Sequence, residues 1–152
     1  MPETLKHRVA VGTVEDWRQL EKIAGDMSAR GLKLENLSCL GFERVLGGKR
    51  LYEQPPARTI PLPFSASPEL IACTPGILAA GLTERHKLGA RSLKDALGHW
   101  FNPRHAQQFE DTVHNGEILL WLNVADDDAE RSAYKSLLAH SSGSVGVYDL
   151  SL

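Results

Sequence analysis

A chain of 152 residues, 42% hydrophobic and 24% charged, has the size and composition of one globular domain able to bury a core without disulfide or metal staples. Its formal net charge of -2 supplies no global basic field for nucleic acid or an anionic membrane surface. Two cysteines, Cys39 and Cys73, lie far apart in no CxxC pattern and read as buried thiols of a reducing compartment.

The first residues, Met-Pro-Glu-Thr-Leu-Lys, carry no apolar signal region. The most apolar stretch, 70–82, is broken by Pro75 and Gly76 and falls short of the roughly 20 residues a spanning helix needs. A cytoplasmic protein without stable membrane insertion is expected.

Residues 7–14 alternate with apolar side chains on both faces, Val9 and Val11 on one and Ala10 and Val14 on the other, and predict a central strand. Glu15 and Asp16 open a helix whose apolar stripe is Trp17, Leu20, Ile23, Ala24 and Met27, closed by Gly31. A second strand is expected to reach about Leu46, followed by a hairpin turning at Gly47-Gly48. Five prolines, Pro55, Pro56, Pro61, Pro63 and Pro68, then predict a packed irregular segment rather than a strand or helix. Residues 69–82 read as a short strand and a helix start at Thr74-Pro75, and Ser92 caps a helix bearing Leu93, Ala96, Leu97 and Trp100. Asn102-Pro103 begins another helix, which ends at Asn115-Gly116. Ile118-Leu-Leu-Trp-Leu122 is apolar on both faces and is the strongest strand signal in the chain. Asp126 or Asp127 caps a last helix carrying Ala129, Ala133, Leu137 and Leu138, expected to close at Gly143 before a final strand with Val145, Val147, Tyr148 and Leu150.

Both ends of the chain therefore read strand, acidic helix start, helix, glycine, strand. Two such units predict an α+β domain with a ferredoxin-like βαβ repeat: an antiparallel sheet with helices on one face. The core halves fall at about 7–46 and 103–150, and a proline-rich plus helical insertion spans about 47–102.

Residues 9–41, and the run from His105-Ala-Gln-Gln-Phe-Glu-Asp through Gly116-Glu-Ile-Leu-Leu-Trp to Asp126-Asp-Asp-Ala-Glu-Arg131, resemble the bacterial general stress protein family of the 17M type, also described as heat-induced stress proteins. The resemblance rests on hydrophobic and glycine landmarks over somewhat less than half of the chain. Many relatives carry a Gly- and Ala-rich segment between the halves; here that segment is proline-rich and then basic, and only 75–82 is similar to it. The resemblance implies the fold and a stress-associated role, and it brings no catalytic residues with it.

His86, His99, His105 and His114 cluster in sequence near Glu110 and Asp111, yet no HxxH or HxxxH spacing sets two ligands on adjacent helical turns, so no metal or other cofactor is expected. The basic run Arg85, His86, Lys87, Arg91, Lys94 and Arg104 beside Trp100 is balanced by Glu110, Asp111, Glu117 and 126–130, which reads as a solvated face rather than a nucleic-acid groove. Gly47-Gly48-Lys49-Arg50 lacks the spacing of a P-loop. The start of the Asn102-Pro103 helix, with Arg104, His105 and neighbouring His99, is a candidate site for a small anionic ligand, because unpaired amides there add to the side-chain charge.

These features predict a non-enzymatic, stress-associated or regulatory module that binds a ligand or a protein and self-associates through a sheet face or edge. The alternative is a small enzyme in which Cys73, ahead of a helix start, pairs with His99 or His105 beneath the middle segment.

Overall fold

Alternation of apolar side chains determines which strands this sheet can bury, and the computed structural model describes residues 6–46, 60–66, 69–74, 77–143 and 145–151. Six strands, β1 (Lys6–Val14), β2 (Leu37–Phe42), β3 (Ile60–Ala66), β4 (Glu69–Cys73), β5 (Ile118–Asn123) and β6 (Gly146–Ser151), form one antiparallel sheet in the order β3-β4-β2-β5-β1-β6. β5 lies between β1 and β2, with Val11 opposite Trp121 on one side and Cys39 opposite Leu120 on the other. Each of the two strand–helix–strand units thus encloses a strand of the other.

The sheet departs from the sequence expectation in its middle. Four strands were expected, with the segment between the halves draped around them; that segment instead adds β3 and β4 to the same sheet. Prolines in β3 are tolerated because it is an edge strand, where a missing donor breaks no second ladder, and the β3–β4 register shifts between Pro61 and Ser65. Leu62 and Phe64 are buried, so the segment supplies core on alternate residues. The strand expected to continue to Leu46 stops at Phe42, where a helical turn, α2 (Glu43–Leu46), folds Leu46 into the core beside Ala72 and Ile118. The hairpin expected at Gly47-Gly48 lies outside the described residues.

Five further helices are α1 (Trp17–Ala29), α3 (Ile77–Lys87), α4 (Leu93–Leu97), α5 (Pro103–His114) and α6 (Asp127–His140). Asp16, Ser92, Asn102 and Asp126 cap α1, α4, α5 and α6, each accepting from first-turn amides. Gly31 (φ 84°) and Gly116 (φ 81°) end α1 and α5 in left-handed turns, with Leu32 N–H donating to the Met27 carbonyl and Glu117 N–H to that of Thr112.

Helices cover both faces of the sheet. α1 and α6 bury Leu20, Ile23, Met27, Ala133 and Leu137 against Ala10, Val14, Leu120 and Leu122. α3, α4 and α5 bury Leu78, Leu82, Leu93, Leu97, Ala106 and Phe109 against Val11, Leu40, Leu119 and Trp121. The helices of the two strand–helix–strand units, α1 and α6, share one face, and a central strand apolar on both sides takes its second covering layer from α3, α4 and α5. α5, which the expectation grouped with the second core half, belongs to the opposite layer.

A polar latch joins α6 to β1. β6 pairs with β1 only as far as Val11, which leaves Thr13 without a strand partner on that side. The end of α6 takes its place: Thr13 N–H donates to Ser141 Oγ (2.9 Å), the Ser141 hydroxyl donates to the Thr13 carbonyl (2.7 Å), and Ser142 N–H donates to the same carbonyl (2.8 Å). α6 ends at Ser141, in extended backbone, rather than at Gly143. Gly143 serves the latch differently, since a Cβ there would stand 2.5 Å from Thr13 Oγ1. Close approach of α6 to the sheet also depends on Gly12, where an added Cβ would stand 2.8 Å from Leu137 Cδ2.

Ser141→Ala removes a donor and an acceptor facing part-buried backbone and should cost about 1–2 kcal/mol, read as a lower denaturant midpoint at unchanged m-value. On the α1–α6 seam, the neighbouring Ser136 hydroxyl and the Arg30 guanidinium (3.0 Å) hold the Asp26 carboxyl below the usual carboxylate range, with His140 Nε2 3.6 Å away. A carboxyl lowered on folding stabilises the fold above its unfolded pKa, and that contribution is lost as pH falls through the folded value. Asp26→Asn should therefore lower the midpoint at neutral pH and flatten the acid limb of a stability–pH profile.

Candidate interaction surface

The histidines of the expected anion site are held by protein neighbours. His99 Nδ1 lies 3.1 Å from Arg85 Nη1, and its ring is edge-on to Trp100. His105 is half-buried on α5, its ring 5.5 Å from Tyr148 and 6.2 Å from Phe109. Arg104 is exposed on the first turn of the same helix, and the Asn102 side chain already accepts the His105 amide (2.8 Å). Between the two histidines runs a chain of edge-to-face rings, Trp100 to Trp121 (6.2 Å), Trp121 to Phe101 (5.5 Å) and Phe101 to Tyr148 (5.0 Å). This is aromatic packing across one face of the sheet, with His99 and His105 at its ends. The buried Trp121 Nε1 has no hydrogen-bond acceptor, and the rings of Trp100 and Phe101 stand nearly perpendicular to its own.

Cys73 is completely buried on β4, and burial, with Cys39 nearby, pushes its thiol far above the ordinary range. A thiol kept protonated in apolar surroundings is a poor nucleophile. Ile71, Leu78 and Leu82, from the apolar stretch near Pro75, are core residues facing the sheet interior. Among the described residues no helix is long and apolar enough to cross a membrane, and no group of three or more His, Cys, Asp or Glu side chains is placed to hold a metal ion.

The flank formed by α6 and β6 presents a different surface. α6 sits over β1, so Val147 of β6 and Val145 just before it are only partly buried on that face. Beside them opens a groove of roughly 420 Å³ lined by Asp127, Glu130, Arg131, Tyr134 and Val147. Tyr134 and, one turn further, Leu138 are 40% and 57% exposed. β6 is the last strand of the sheet, and among the described residues only β1 pairs with it. Its Asp149 is drawn back to Arg8 Nε (3.0 Å), and Arg8 Nη1 also holds Glu130 (2.8 Å).

The sequence expectation named Leu137 and Leu138 together among the apolar residues this helix carries. Leu137 is buried and Leu138 is not, because successive residues on a helix point about 100° apart. The legible signal was a second apolar i,i+4 pair, Tyr134 and Leu138, displaced by one residue from the buried Ala133 and Leu137. No protein family, curated protein or solved structure matches the chain.

Cys39 and Cys73, respectively 2% and 0% exposed, should resist a thiol reagent such as Ellman's in the native protein and react together only on unfolding. Rapid native labelling of Cys73 would contradict the buried, protonated thiol described above.

Proposed function

We propose that this protein is a non-enzymatic binding module on a ferredoxin-like sheet, with the α6–β6 flank as its protein-interaction surface. The order β2-β5-β1-β6, the two strand–helix–strand units and the shared face of α1 and α6 support the ferredoxin-like description. The stress-associated or regulatory role rests on the hydrophobic and glycine landmarks by which 9–41 and 105–131 resemble the general stress protein family, and free thiols at Cys39 and Cys73 are in keeping with the cytoplasm.

The observation that carries the proposal is the pair Tyr134 and Leu138, exposed one turn apart on α6, with Tyr134 lining a groove beside Val147 of the edge strand. Large apolar groups left in water add little to the fold, whereas covering them with a partner recovers about 25 cal/mol per Å² of apolar surface. An enzyme built on Cys73 with His99 or His105 is disfavoured by the sealed thiol and by the protein contacts of both rings.

A binding surface, unlike core, is dispensable for folding. At sub-micromolar protein, Leu138→Glu and Tyr134→Ser should each leave stability within about 0.5 kcal/mol of the wild type. A loss above about 1.5 kcal/mol in denaturant titrations would show that these side chains hold the fold together, and the proposal would fall.

A further inference from the structure

We infer that the occupant of the α6–β6 flank is a second copy of this chain, docked about a two-fold axis that runs β6 antiparallel to its symmetry mate and extends the sheet across the dimer. This rests on the flank being a binding surface, as proposed above, and adds which partner covers it and how.

The two edges of the sheet are not equivalent. β3 contains Pro61 and Pro63, which cannot donate to an added strand. β6, Gly146-Val-Tyr-Asp-Leu-Ser151, has no proline, and its single charged residue, Asp149, is paired with Arg8. The usual devices that protect an edge are thus present on one side and missing from the other.

The flank also constrains what can cover it. Its occupant must bring a strand for the edge and large apolar side chains for the trough over Val145 and Val147. This chain carries both in the required relation, β6 beside Tyr134 and Leu138, and a two-fold axis delivers each set to the other copy. α6 adds electrostatic direction. Asp127, Asp128 and Glu130 outnumber Arg131 in its first half, and Lys135 lies in its second half, where His140 turns to Asp26 of α1 (3.6 Å). Antiparallel pairing sets the acidic start of each α6 toward Lys135 of its mate, with the helix dipoles opposed; parallel pairing would stack the acidic starts on each other.

Sedimentation velocity and light scattering on the full chain, from low to several hundred micromolar, should show a concentration-dependent dimer. Leu138→Glu and Tyr134→Glu should each weaken it at least tenfold, whereas Leu88→Glu, on the distant loop after α3, should leave it unchanged. Amide hydrogen exchange over 146–151 should slow as the dimer forms and speed up again in Leu138→Glu. A wild-type chain that stays monomeric throughout, or a dimer indifferent to both flank substitutions, overturns the inference. Monomeric wild type together with a normally stable Leu138→Glu removes the second copy and leaves the binding surface standing. Unfolding of Leu138→Glu at sub-micromolar concentration removes both.

Discussion

Everything in this structure is arranged around the burial of β5. Ile118, Leu119, Leu120, Trp121 and Leu122 are at most 1% exposed, and they alternate between the two faces of the sheet. A strand apolar on both sides has no stable place at an edge or against solvent. It takes the middle of the sheet between β1 and β2, and it forces a helical layer onto each face. α1 and α6 provide one layer, and the helices between β4 and β5 provide the other.

The position of α6 follows from that arrangement and in turn defines the exposed flank. Gly12 admits Leu137 close to β1, and the serines at the end of the helix replace the strand partner that Thr13 lacks. Fixed over β1 at this end, α6 does not extend over β6. Val145 and Val147 are left only partly buried, Tyr134 lines the groove with Val147, and Leu138 is exposed one turn further along α6. The same contacts that stabilise the α6–β1 seam therefore leave a groove of mixed apolar and charged lining next to the open edge.

Residues with reactive chemistry serve the core. Cys73 faces the interior from β4, and Trp121, Phe101 and Tyr148 form the edge-to-face array that joins α5 to the sheet. His99 and His105 end that array, with their rings against Trp100 and Tyr148. The surface proposed to bind is by contrast poor in nucleophiles and is distinguished by shape, apolar area and an open strand edge.

Local chemistry made much of this legible in advance. The caps at Asp16, Ser92, Asn102 and Asp126, the glycine ends of α1 and α5, and the two-sided apolar run of β5 each depend on a few neighbouring residues and can be read directly from the chain. Pairing of β2 with both β4 and β5, entry of a proline-bearing segment as edge strand β3, the helical turn after Phe42 and the closure of α6 at Ser141 depend on residues distant in sequence, so tertiary structure alone decided them. The same holds for the candidate site. Spacing could suggest that Cys73, His99 and His105 were available for chemistry, but burial and contact, which are properties of the packed whole, sealed Cys73 in the core, set the rings of His99 and His105 against Trp100 and Tyr148, and left Tyr134 and Leu138 exposed.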